Sequence, residues 1–364
     1  MFTAYDTNIL EFANLDISLT DTGSGSNYKF LSASNTGGSS NAANIDQIAN
    51  VNLSLSRGDL TQPANAISLA NDAIIYSINS SNILVTGTGP AIALNLLSGG
   101  APDVDLISNS EISVNSPDSN SRVMALASGS LINSLEFSKL ISVNFGKAVE
   151  VVGKLNNVFF SVIHAAKGEA IYVQGDQNTY LGAVDFSEIS TYATSYPAVY
   201  LVGGASTPVS PVVGQFSETK IITRENGSHG IVISGPLVVN NLWDVSFIRS
   251  DRSSAQGVPD SFSLVLEDNT NGYGAVTNML RVRSCTESQG GVNPGFWKTL
   301  NHPSFGDLSI VNWNSGFGYH LADVSAGDAG QGMGAYANFD FLLQRGSSFD
   351  GTSWSYQSCD WSLQ

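Results

Sequence analysis

Glu188 and Glu218 each close a Phe-Ser-Glu triplet, Phe186-Ser187-Glu188 and Phe216-Ser217-Glu218. If the two triplets occupy one place on neighbouring strands, their carboxylates stand about 4.8 Å apart. At that spacing the two acids couple, and one holds its proton to higher pH. Such a pair suits acid and nucleophile in retaining glycoside cleavage, which needs about 5–5.5 Å. The flanking places on this ladder would be Lys139, Val162 and Phe247. Two solvated glutamates splayed apart on an outer face satisfy the same spacing.

A second group is mixed in charge. Asp244, Arg249, Asp251 and Arg252 crowd one stretch, and Arg224 and Glu225 precede it at a roughly corresponding place. The planar guanidinium fork of arginine suits sugar carboxylates and hydroxyls. Asp244 and Asp251 are therefore further catalytic candidates, and Arg224, Arg249 and Arg252 substrate-binding ones. A surface ion-pair network accounts for them equally well. Trp313 and Trp354, in an aromatic-rich C-terminal stretch, offer flat faces for stacking on sugars, although a small domain also needs such rings in its core. His164 and His229 stand alone, and His229 reads as a turn residue before a strand. No paired-histidine, Cys-x-x-Cys or acidic calcium-loop spacing is present, so no metal or other cofactor is expected.

These residues sit within a repeat. Met124-Ala125-Leu126-Ala127-Ser128-Gly129 returns as Ala148–Gly153, Ala170–Gly175, Ala198–Gly203 and Gly230–Gly235, with a degenerate copy at Ser263–Asp268. Apolar residues two apart within each copy indicate a strand with one buried face. A second phrase keeps step: Leu135-Glu136-Phe137-Ser138, Val158-Phe159-Phe160-Ser161, Val184-Asp185-Phe186-Ser187 and Val213-Gly214-Gln215-Phe216-Ser217, with a looser copy at Leu242–Phe247. Each unit thus holds at least two strands with no helical stretch between them. Parallel strands normally need a helical crossover, and a solenoid that climbs one strand spacing per coil avoids it. The fold expected is all-β, a right-handed parallel β-helix. Val149, Ile171, Val199, Ile231 and Leu264 should form one inward row, and Phe137, Phe160, Phe186 and Phe216 another.

Composition narrows the function. The chain has 364 residues, a formal net charge of −16 and only 13% charged residues. Asn, Ser, Thr and Gly fill the polar positions instead, as suits stacked strands with neutral outer rows. Acidic balance disfavours nucleic acid and anionic membrane surfaces. No apolar stretch is long enough to span a bilayer, and the first twenty residues have no signal-peptide pattern. Cys285 and Cys359, the only cysteines, read as buried thiols rather than a disulfide.

Residues 1–50, interrupted by Gly-Ser-rich punctuation, read as an N-terminal cap or attachment segment, since a solenoid end exposes a sheet edge. Residues 51–290 read as the β-helix. Residues 291–364 read as a small aromatic-rich β-domain, sandwich-like, that caps the last coil. A parallel β-helix with Asn-rich coils and an aromatic β-rich C-terminus resembles bacteriophage tailspikes. The resemblance implies a homotrimer on a virion tail, assembled in a host cytoplasm and contacting capsule or lipopolysaccharide of the host surface. It also implies contacts with tail or capsid proteins. Polysaccharide depolymerase and structural decoration protein are the other roles it allows.

Overall fold

The computed structural model describes residues 2–5, 8–21, 28–34, 43–58, 63–204, 210–224, 228–249, 261–269, 272–280 and 282–286, with short segments at 295–300, 308–312, 319–324, 347–349 and 354–356. Among them every regular element is a strand. Successive strands fall in turn into three sheets, A, B and C, so the chain winds through A, B and C and begins again. Sheets B and C hold ten strands each, all parallel to their neighbours. The molecule is a parallel β-helix, as the doubled repeat requires.

The first phrase forms sheet A. Val149, Ile171, Val199, Ile231 and Leu264 stand in register from rung to rung and are at most 1% exposed. Val151, Val173, Leu201, Ile233 and Leu266 make the parallel row two residues on. Each fully buried aliphatic side chain contributes about 1.5–3 kcal/mol, so these stacked rows are the main source of stability. At Gly129 and Gly235 the backbone takes φ of +88° and +78°, where a Cβ is disfavoured.

Sheet B departs from simple alternation. Its strands bury positions three apart: Ile132 and Leu135, Leu155 and Val158, Leu181 and Val184, Val213 and Phe216, Val239 and Leu242. The second inward row is therefore Leu135, Val158, Val184, Phe216 and Leu242, all fully buried. This corrects the expected phenylalanine row. Phe216 is inside, whereas Phe137, Phe160 and Phe186 are 56%, 49% and 41% exposed. Those three occupy the turn between sheets B and C, where the chain has left the strand and its inward positions.

That turn is built alike on nine rungs. Asn14, Asn50, Ser80, Asn109, Phe137, Phe160, Phe186, Glu218 and Asp244 all adopt positive φ, between 46° and 54°. From Asn14 to Glu218, each donates its backbone N–H to a carbonyl of the next coil. The residue that follows turns inward. Ser81, Ser110, Ser138, Ser161 and Ser187 are at most 4% exposed. Each hydroxyl accepts the backbone N–H of its counterpart one coil earlier, at 3.1–3.2 Å. Each also donates to a carbonyl two residues back in its own turn. A buried serine ladder thus satisfies backbone groups that a corner would otherwise strand. In the Phe-Ser pairs at 137–138, 160–161 and 186–187 the serine is the interior residue, whereas at 216–217 it is the phenylalanine.

The strands begin at Phe2, and residues 1–50 supply the first rungs of all three sheets. At the other end, Gly295–Leu300 still adds to sheet A in parallel, and Leu308–Asn312 and Tyr319–Val324 follow antiparallel. Ser347–Phe349 and Trp354–Tyr356 form a hairpin. The packing of the C-terminal part as a sandwich lies outside the described residues. No helix among the described residues is long and apolar enough to cross a membrane.

Candidate functional site

The turn between sheets B and C runs along the solenoid as a ridge, and its side chains change character on the way. Asn14, Asn50, Ser80 and Asn109 occupy the first rungs, and asparagine tolerates the left-handed backbone. Phe137, Phe160 and Phe186 follow. Their rings stack at 5.1 Å and 1° between the first two, and 4.8 Å and 11° between the second two. Phe159, half-buried at the end of its sheet B strand, lies against both Phe160 and Phe186. A bulky residue in this backbone region costs about 1–2 kcal/mol, and partial burial of these rings offsets only part of it. Ring stacking contributes about 0.5–1.5 kcal/mol per pair. The ridge is thus an exposed apolar strip that the fold does not require.

Beyond Phe186 the ridge turns acidic. The register Asp185 opposite Ser217 and Ser217 opposite Trp243 makes Glu218 and then Asp244 the next two ridge residues. The N–H of Glu218 donates to the carbonyl of Trp243 at 2.8 Å, which fixes that neighbour relation. Trp243 itself is 41% exposed beside the ridge. Asp185, underneath, is held by Gln215 Nε2 at 3.0 and 3.1 Å from its two oxygens. Burial pushes its carboxyl pKa up, and the Gln215 hydrogen bond pulls the other way.

Glu188 and Glu218 are not on one ladder. Glu188 stands in register with Val162 before it and Lys220 after it, and Lys139 precedes Val162. The expected coincidence fails because Phe216 is an inward strand residue and Phe186 a turn residue, so the two Phe-Ser-Glu triplets are offset by two positions. The in-register acidic pair is Glu218 with Asp244. The mixed Asp/Arg group is dispersed where it is described. Asp244 belongs to the ridge, and Arg249 ends a sheet C strand with its backbone opposite Thr223. Asp251, Arg252 and Glu225 lie outside the described residues, as do Trp313 and the side chain of Trp354.

Arg224 belongs to a different cluster, at the far edge of sheet C. Thr191 and Thr223 are in register, so Tyr192 and Arg224, each the next residue, hold the same place on consecutive rungs. The guanidinium carbon of Arg224 lies 3.7 Å from the centroid of the Tyr192 ring. His164 meets the other side of this group, with its ring edge-on to Tyr192 at 4.4 Å and its Nδ1 2.9 Å from Ser190 Oγ. Burial lowers the His164 pKa, and the Arg224 charge lowers it further. Both effects favour the neutral imidazole. His229, by contrast, accepts the backbone N–H of Phe262 through Nδ1 at a turn.

The outer face of sheet A carries a charge network that sequence reasoning did not single out. Glu150 receives Arg122 Nε at 2.7 Å and Lys147 Nζ at 3.2 Å. Lys147 also lies 4.2 Å over the Tyr172 ring. Burial pushes the Glu150 pKa upward, but the hydrogen bond and charge of Arg122, with Lys147 behind, outweigh it and leave the carboxyl below its usual range. Glu169, 8% exposed, goes the other way because burial dominates. Tyr172, desolvated and facing Glu150, is pushed up to about 12. The signal missed was vertical: Arg122 and Lys147 share a rung position, as do Glu150, Tyr172 and Tyr200.

No group of three His, Cys, Asp or Glu among the described residues is arranged to hold a metal ion. No protein-family model, curated protein or solved structure matches the chain.

Proposed function

We propose that this chain is a tailspike-like receptor-binding β-helix that holds a host-surface polysaccharide along the ridge between sheets B and C. The observation that carries this is the run Phe137, Phe160, Phe186, Glu218, Asp244. Aromatic edges followed by carboxylates, repeating at the strand spacing, match a polymer that presents apolar C–H patches and hydroxyl groups by turns. The strip is strained, exposed and unused by the core, which is where binding function is expected. From Phe137 to Glu218 the backbone N–H of each member is bonded to the next coil, so little order has to be acquired on binding. A homotrimer on a virion tail is the assembly that fits, because solenoid flanks with neutral polar rows gain by packing against copies.

The test is cosedimentation of the protein with cells and with purified capsule or lipopolysaccharide. Saturable binding to one surface polysaccharide, lost on removal of that polymer from the cells, is expected. Retention on stripped cells alone would point to a protein receptor and against this reading.

A second reading, polysaccharide depolymerase, is favoured by one feature. Glu218 and Asp244 stand on neighbouring rungs, at roughly the 4.8 Å strand spacing, close to the separation that retaining glycoside cleavage uses. In that case Glu218→Gln and Asp244→Asn each abolish release of reducing ends while binding persists, because amides cannot cycle protons or attack an anomeric carbon. Glu188, paired along its row with Lys220, is not needed for cleavage on this reading. Intact polymer after long incubation with the unmutated protein would reject it.

A further inference from the structure

We propose that Arg224, held over the Tyr192 ring beside His164 and Ser190, is a subsite for an oxyanion carried by a sugar, so that the polysaccharide the solenoid takes is an acidic one. The inference rests on the glycan-binding reading and names the class of glycan.

Position comes first. Tyr192 and Arg224 leave consecutive sheet C strands at the same point, so the rung spacing brings the guanidinium onto the ring face. Stacking of this kind restricts the plane of the guanidinium and leaves its in-plane N–H donors off the ring. Arg224 is exposed and makes no ion pair among the described residues. By contrast, Arg122 and Lys147 are committed to Glu150, and Lys139 reaches Glu111 at 4.0 Å. An arginine stacked on a ring, with no ion pair among the described residues, is preorganised for a bidentate oxyanion.

The neighbours support the same ligand. Ser190 Oγ occupies Nδ1 of His164, and Nε2 has no partner among the described residues. When Ser190 donates, Nε2 carries the ring hydrogen and is a second donor beside the arginine. Ile141 and Ile222 flank His164 and Ser190 in register. They are apolar and strengthen charge-assisted hydrogen bonds made above them. Hydroxyl groups of a neutral sugar would gain less here than a carboxylate or phosphate. The overall charge of −16 repels acidic polymers at long range, so a specific cationic contact is what an acidic ligand would need.

The test uses small probes on the full chain: methyl glucuronide, a methyl glucoside phosphate and the neutral methyl glucoside. Binding is followed by the ring proton signals of His164 in NMR, assigned with His164→Gln. The two anionic sugars should shift those signals at millimolar concentration, and the neutral one should not. Arg224→Gln should weaken the response about tenfold or more, as expected for losing charged hydrogen bonds. Arg224→Lys should recover part of it. A shift by only one of the two anions identifies the group as carboxylate or phosphate and supports the subsite. Equal response to the neutral glucoside, no response, or a response that Arg224→Gln leaves unchanged would overturn the proposal. Failure of the ridge reading is separable. Small anions would then still bind at Arg224 while no surface polysaccharide binds at all.

Discussion

Two glutamates on one face of the solenoid show how far a residue's behaviour depends on its rung neighbours. Glu150 lies between Arg122 and Lys147 and is held ionised. Its folded pKa is below the unfolded one, so its contribution to stability is present above the ordinary carboxylate range and is lost as pH falls through the folded value. Glu169 is buried with no ion pair at contact distance among the described residues, and its folded pKa is raised. Its ionisation opposes folding, and that penalty grows as pH rises from the unfolded pKa through the folded one. Glu150→Gln should therefore lower the melting temperature at pH 7, and Glu169→Gln should raise it. The difference between Glu169→Gln and the parent should vanish in acid below the carboxylate range. Thermal melts across that pH series check both signs, and a fall in stability of Glu169→Gln at pH 7 would contradict the assignment.

Phe160 gives a complementary prediction. Asparagine holds the same ridge place at Asn109 with φ of +48°. Phe160→Asn should relieve backbone strain of about 1–2 kcal/mol while giving up ring stacking worth about 0.5–1.5 kcal/mol per pair. Its stability should stay within about 1 kcal/mol of the parent, as read by denaturant melts. A core phenylalanine would behave otherwise. Phe216→Asn, at a fully buried place, should destabilise by several kcal/mol, on the order of 3–5 or more.

At the scale of the elements, the turn between sheets B and C depends on its serines. Ser161 accepts the N–H of Ser138 and donates to the carbonyl of Phe159. Ser161→Ala leaves a buried N–H without its acceptor and should cost about 1–3 kcal/mol. Ser217, on the outer side of the same corner, is half-exposed, and Ser217→Ala should cost little. Equal losses in the two variants would show that the ladder is not what holds the corner.

Here too lies the limit of what the sequence showed. The sheet A rows were legible because strands such as Ile171–Gln174 and Val199–Val202 alternate inward and outward, which puts Val149, Ile171 and Val199 at one step of the repeat. Sheet B was not, because its inward residues are three apart, at Leu155 and Val158 or Val213 and Phe216. A period-two reading turns the next phenylalanine inward and shifts the Phe-Ser-Glu triplets by two. The asparagines at Asn50 and Asn109 were the available clue, since they mark the same corner in its unmodified form. The Tyr192–Arg224 stack was invisible, because each residue is an unremarkable strand-end position until the register of Thr191 and Thr223 is known.

For the whole molecule, the proposed trimeric spike has a defined mass. One chain is 38.3 kDa. Light scattering at micromolar concentration should give three times that value and hold it on dilution, whereas a monomer mass would remove the assembly from the account. Polysaccharide binding on the phenylalanine ridge, as proposed, depends on Phe160. The most direct measurement is calorimetric titration of that polymer into the parent protein and into Phe160→Asn, with both shown to be equally folded. Phe160→Asn should weaken binding at least about tenfold, as loss of a central aromatic contact does, with the melt unchanged. Equal affinity in the two proteins would contradict it.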